Sequence, residues 1–134
     1  MSRNRLAAAR GSPVAFATSL GRVLLAAQDD AWLDGYLGAA TLPSITDRTV
    51  SRPTSLRSEL ARARRQGYAL VDQELEDGLR ALAVPIRDAH GRVVAAVNVA
   101  VHTSRWPIER ILRDLLPGLL ELSAAVERDL RATT

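Results

Sequence analysis

Few residues of this 134-residue chain could do chemistry, and they fall in three places. The first is "VVAAVNVAVHTSR", Val93 to Arg105. Side chains alternate faces along a strand, so Val93, Ala95, Val97, Val99 and Val101 make one apolar stripe. Val94, Ala96, Asn98, Ala100 and His102 make the other. A solvent-facing amide and a satisfied core histidine are the plain readings of Asn98 and His102. Neither explains the alanines around them, because strand positions open to water usually carry larger polar side chains. An amide and an imidazole among small residues suit a space kept open for a ligand. The second place is the start of "ATSLGRVLLAA", where the N–H groups of Ser19, Leu20 and Gly21 would lack intrahelical partners and the helix dipole favours an anion. Gly21 would let something approach the backbone closely. Ordinary capping by Thr18 or Ser19 is the alternative. The third is the acidic run Asp72, Glu74, Glu76 and Asp77. A solvated turn accounts for Glu76 and Asp77, whereas Asp72 and Glu74 lie nearer a strand and could in principle pair with His102 for acid–base work.

Nothing accompanies such a pair. There is no phosphate-binding glycine loop, no G-x-S-x-G elbow and no H-E-x-x-H. With no cysteine and only two histidines, one of them (His90) in a turn, neither a metal site nor a cofactor is expected. The chain does not read as an enzyme. All 18 basic residues are arginine, yet the net charge is only +3, because they are scattered among 15 carboxylates. That argues against direct nucleic-acid binding by this chain. No apolar run approaches a membrane span and no signal peptide is visible, which with the lack of cysteine fits a cytoplasmic location.

The elements that must position these groups follow from period and punctuation. A short strand is expected over Leu6 to Ala9. A first helix is capped at Thr18 or Ser19, with Val23, Leu24 and Ala27 on its apolar face. Asp29 or Asp30 opens a second through Trp32, Leu33, Tyr36 and Leu37. "GAATLPSITDRTVSRP" is a loop. A third helix runs from Pro53 to a stop at Gly67, burying Leu56, Leu60 and Ala63. "YALVDQELE" is a strand entering a turn that ends at Gly78, and "LRALAVPIRDAHGRVVAAVNVAVH" is a hairpin turning at Asp88–Gly91. The tail from Ile108 to Leu130 is an amphipathic helix with Leu112, Leu115, Leu119, Leu122, Val126 and Leu130 on one side, kinked at Pro117. Helices, an antiparallel sheet and a terminal helix make an α+β domain.

"FATSLGRVLLA" (Phe16–Ala26), "RRQGYALVDQELEDGLRALAVPIRD" (Arg64–Asp88) and "GRVVAAVNVAVHTSR" (Gly91–Arg105) resemble, in order and spacing, the effector-binding domain of IclR-type bacterial transcription regulators. The ending N-x-x-x-H-x-S-R (Asn98, His102, Ser104, Arg105) is most similar to the branch regulating aromatic-acid catabolism, the β-ketoadipate-pathway regulators. The resemblance implies a GAF-like (profilin-like) domain, a curved antiparallel sheet flanked by helices around a small organic acid. Carried over by position, the ligand residues are Ser19 and Leu20 at the helix start, Val71 or Asp72, Ala81, and Asn98 and Ala100. His102, on the same face, would meet a phenolic hydroxyl. Family members also carry a winged helix-turn-helix and further sensor strands ahead of the matched part. The chain is therefore expected to be a partial effector-binding domain over residues 1–134, reaching DNA only through a domain it does not contain. It is expected to work as a homo-oligomer, a dimer or tetramer, away from membranes. The competing expectation is an assembly module with a vestigial pocket.

Overall fold

The computed structural model of the protein describes residues 12–133. The strand expected over Leu6 to Ala9 lies outside the described residues. A 3-10 turn (Ala15–Ala17) leads into α1 (Ser19–Ala26), α2 (Asp30–Ala39) and α3 (Pro53–Gln66). Three strands follow, β1 (Ala69–Asp72), β2 (Leu79–Arg87) and β3 (Val93–His102), and then α4 (Leu116–Ala132).

Local chemistry sets these limits. Thr18 is the N-cap of α1, its Oγ1 accepting from the Gly21 N–H at 2.9 Å. Asp29 does the same for α2 through the Trp32 N–H at 2.8 Å. Pro53 supplies a ready-made φ in the first turn of α3, and Gly67, at φ 83°, ends it in the left-handed conformation. The loop between α2 and α3 has no regular structure.

The sheet is antiparallel in the order β1-β2-β3. In register, Val71 lies opposite Ala81 and Ala81 opposite Ala100, while Ala69, Ala83 and Asn98 form the next row. Alternation therefore puts Ala69, Val71, Ala81, Ala83, Asn98 and Ala100 on one face, and Leu70, Asp72, Leu82, Val84, Val97 and Val99 on the other. The expected stripe is broken at one end. Ile86 pairs with Ala95 but Arg87 pairs with Val93, so Val94 is an extra residue in a bulge. Val93 consequently leaves the face of Ala95, Val97, Val99 and Val101 and packs on the core of the opposite face.

That core joins Phe16, Leu25, Leu56 and Leu60 to Ala69, Ala83 and Ala96 of the sheet. The apolar face of α1 differs from expectation: Leu25 and Ala26 are buried with Val23 and Leu24, while Ala27 is exposed beyond the helix end. Burial on nearly every side reflects a helix sandwiched between the sheet and α3. On the second face, α4 covers Leu82 and Val84, and its Ser123 Oγ donates to the Pro85 carbonyl at 2.6 Å. Glu127 accepts from the Arg87 N–H at 2.8 Å, next to the bulge.

The terminal helix also departs from the simple stripe. It is entered through an α turn (Ile108–Arg110) and a π stretch (Ile111–Leu115), in which the Leu116 N–H reaches back five residues to the Ile111 carbonyl. Pro117 has no N–H to give and its ring crowds the carbonyl four residues earlier, so the ladder widens there. The widening shifts the faces that follow. Ile111 and Ser123 are buried, and Leu122, expected inside, is 48% exposed.

Candidate ligand site

Where the first turn of α1 rises off the sheet it leaves a cavity of about 240 Å³. Ala17, Thr18, Ser19 and Leu20 form its helical wall. Val71, Ala81, Asn98 and Ala100 form its floor, and Leu75 and Leu79 close one end. The register explains the space. Alanines at 81 and 100 are cross-strand neighbours, so two adjacent positions on the floor carry only a methyl group. Deeper along the same face Ala83 and Ala96 are covered by the core, whereas Asn98 and Ala100 stay accessible.

The residues around this space bring few polar groups to it. Thr18 takes the Gly21 N–H, leaving the Ser19 and Leu20 amides as those at the helix start that its cap does not use. Ser19 is 1% exposed, and its Oγ is a buried side-chain polar atom with no hydrogen-bond partner among the described residues. A buried hydroxyl left unpaired is destabilising unless something binds it. Across the floor, the Asn98 amide supplies both a donor and acceptors. Gly21 has a different role from the one expected. A Cβ there would collide with the Ala15 carbonyl, so the close approach it permits is that of the chain's own 3-10 turn.

Of the eight residues singled out from the sequence, Ser19, Leu20, Val71, Ala81, Asn98 and Ala100 come together around this one cavity. Asp72 and His102 do not line it. Asp72 follows Val71 on the strand and so points to the opposite face, where Arg80 Nε donates to its carboxylate at 2.8 Å and Arg48 lies at 3.6 Å. Burial alone would raise its pKa, but hydrogen bonds from Arg80 and Gln73 and the two guanidinium charges outweigh burial and hold it below the ordinary value. His102 is exposed at the end of β3, opposite Leu79. The acid–base pairing weighed for Asp72 or Glu74 with His102 is therefore not assembled. Asp72 is on the wrong face and Glu74 is held by Arg22. Glu76, Asp77 and His90 are exposed, as turn residues should be. Among the described residues no cluster of histidine and carboxylate side chains could hold a metal ion.

Leu75 and Leu79 escaped the sequence reading. The turn brings them in: Gln73 sits at φ 60°, its N–H donates to the Leu79 carbonyl at 2.9 Å, and its Oε1 accepts from the Gly78 N–H. This bracing holds Leu75 over the cavity. Its signal was a lone apolar residue inside "ELED". Ala17 and Thr18 were hidden in the capping segment, and the buried partnership of Arg22 and Glu74, 52 residues apart, carries no local signal.

The family model for bacterial transcriptional regulator IclR C-terminal domains matches residues 1–128. A Pca regulon regulatory protein of Pseudomonas putida is 49% identical over 116 residues, which are 87% of this chain and 38% of that protein. The chain thus spans well under half of the curated relative it matches. Among solved structures, an inducer-binding domain of PobR from Acinetobacter, a double mutant in complex with 3-hydroxybenzoic acid, superposes with a TM-score of 0.81 at 29% identity, covering 84% of this chain and 66% of that one. The C-terminal domain of the Escherichia coli regulator KdgR superposes at 0.79 with 30% identity, covering 87% and 70%.

Proposed function

The chain belongs to the IclR C-terminal family, the effector-binding domains of bacterial transcription regulators, and from that premise we propose that it senses a small carboxylic acid in the cavity between α1 and the sheet. The carrying observation is Ser19, whose buried, unpartnered hydroxyl stands at a helix start beside two amides that the cap leaves over. A carboxylate placed there meets those amides, the hydroxyl and the positive end of the helix dipole together. The matched family comprises regulator domains and not enzymes.

Size and lining narrow the acid. A volume of about 240 Å³ falls just below the usual range for small-molecule sites, about 300–1,000 Å³, so a compact ligand fits and a nucleotide does not. Leu20, Val71, Leu75 and Leu79 offer apolar walls, and Asn98 one polar contact away from the helix start. An aromatic acid with a ring hydroxyl satisfies both ends, in keeping with the 3-hydroxybenzoic acid of the PobR complex. In a longer regulator the occupied state would pass through homo-oligomer contacts to a DNA-binding domain, acting only through differential affinity for two arrangements.

The test is a thermal-shift series with 3- and 4-hydroxybenzoate, dihydroxybenzoates, short α-keto acids and the amide of each. A ligand at a hundred times its Kd adds about 2.7 kcal/mol to a state that alone binds it. For a chain of this length that raises Tm on the order of 10 °C. A rise with one acid that disappears with its amide supports the reading. A folded chain indifferent to every acid removes it.

A second reading has its own observation. Leu120 and Leu122 of α4 are 46% and 48% exposed, which suits self-association. Sedimentation with and without acid separates the two. An oligomer whose assembly ignores every acid that was tried favours an assembly module.

A further inference from the structure

Two walls of the cavity are tied together by a buried ion pair that ligand binding, as described above, leaves unused. Arg22 is 2% exposed and Glu74 6%. Arg22 Nε donates to the Phe16 carbonyl at 2.8 Å, which holds the 3-10 turn ending at Ala17 on the cavity wall. Its Nη2 donates to Glu74 Oε1, and the same carboxylate oxygen accepts from the Val50 N–H at 2.9 Å. The main chain beside Glu74 is gripped as well. Thr49 Oγ1 donates to the Glu74 carbonyl at 2.6 Å, and Thr46 Oγ1 to the Gln73 carbonyl at 2.6 Å. The segment from Thr46 to Val50, with no helix or strand of its own, thus hangs on Gln73 and Glu74. Leu75, the next residue, lines the cavity.

Separating a buried pair leaves a charge uncompensated, so Arg22 and Glu74 move as a unit and their neighbours adjust around them. A molecule seated between the first turn of α1 and Leu75 presses on the elements carrying both partners. There is room for the response. A second cavity, about 310 Å³, is lined by Arg22, Glu74 and Val50 among others.

We propose that Arg22 and Glu74 are positioning residues of the ligand cavity and carry its occupancy to the Thr46–Val50 segment, whose arrangement is the first output of the sensor. The inference rests on the reading of the cavity as a ligand site. It makes Val50 N–H, which touches no ligand, the reporter.

The experiment measures amide hydrogen exchange at Val50 in the full chain under two perturbations. One is saturating 3-hydroxybenzoate. The other needs no ligand: Ala81→Leu, or Ala81→Val if the larger side chain prevents folding, fills the cavity from its floor. The expected result is a change in Val50 exchange of about fivefold or more in each arm, the low end of typical coupling between sites. The double variant R22M/E74Q removes both charges together, so neither is stranded, and keeps a side-chain oxygen to accept from the Val50 N–H. In it, at an acid concentration saturating for that variant, Val50 should respond less than about twofold. A purely structural pair would leave the response intact in the double variant, and that result overturns the proposal. So does a wild-type chain that binds the acid, or accepts the Ala81 substitution, with Val50 unmoved. If the acid does not bind but the Ala81 variant moves Val50, the coupling stands and the ligand reading fails. Should R22M/E74Q not fold, E74Q alone removes the counter-charge while keeping that acceptor, and a full wild-type response in it also overturns the proposal.

Discussion

Gly21→Ala puts the construction of the helix start to a quantitative test. In an exposed helix interior, replacing glycine by alanine stabilises by about 1 kcal/mol. At position 21 the sign should reverse. An added Cβ would sit 2.6 Å from the Ala15 carbonyl carbon and 2.7 Å from Thr18 Oγ1, and closer still to the Ala15 oxygen. Those atoms belong to the 3-10 turn and the cap, and Thr18 N–H and Oγ1 both donate to that same oxygen. Overpacking of this kind costs about 1–3 kcal/mol, and disturbing the cap about 1 more. Because the obstacle is backbone, which cannot swing aside, the upper part of the range applies. After the helix-propensity gain the net loss is about 2–3 kcal/mol, a fall in Tm on the order of 9 °C. Gly35→Ala in α2 is the control. It is exposed, nothing lies within 4 Å of its would-be Cβ, and it should gain about 0.5–1 kcal/mol. Urea unfolding followed by circular dichroism, with an unchanged m-value, reads both. Equal stability of G21A and wild type, or an equal loss in G35A, would refute the reasoning. Since Ala17 and Thr18 form the cavity wall, G21A should also weaken acid binding.

Ser19→Ala should leave the free protein as stable as wild type or more so, because it removes an unpaired buried hydroxyl, yet weaken acid binding about tenfold. Calorimetric titration beside a thermal melt checks the two opposed effects, and a destabilised S19A would show that the hydroxyl has a partner. Asn98→Ala should weaken binding by a similar factor while His102→Ala changes it less than about twofold, since only Asn98 lines the cavity. Asp72 should show in the acid limb of stability. Its carboxyl titrates below its unfolded value of 3.8, so its contribution is complete above that pH and disappears as pH falls through the lower folded value. Melting from pH 5 to pH 2 should therefore fall less steeply in D72N than in wild type, and parallel curves would count against the Arg80 and Arg48 pairing.

What could be read from the chain alone were the features local in sequence. The caps, open between Thr18 and Ser19 and between Asp29 and Asp30 until the structure chose Thr18 and Asp29, the α3 stop at Gly67 and the hairpin turn at Asp88–Gly91 each depend on a residue and its neighbours three or four positions away. They appear where such chemistry puts them. The period of two in β3 put Asn98 and Ala100 on one face, and six of the eight residues chosen line one cavity. Local reasoning lost its hold where one residue of register mattered. The bulge at Val94 moved Val93 to the other face, and Asp72, one position from Val71, turned away from the cavity.

The tertiary structure alone decided the rest, for reasons of distance and crowding. Arg22 and Glu74 find each other across 52 residues because burial leaves each no other counter-charge. The loop from Thr46 to Val50, unpatterned in sequence, has its path set by the carbonyls of Gln73 and Glu74. Gly21 reads as space for a ligand in one dimension and is filled by the chain's own turn in three. Pro117 announces a break in the terminal helix, but the choice of a π widening, and with it the face that Leu122 presents to water, depends on how the helix buries Ile111 and seats Ser123 on Pro85 of the sheet. Periodicity names a face. Which neighbour meets that face is settled only when elements far apart in sequence compete for the same space.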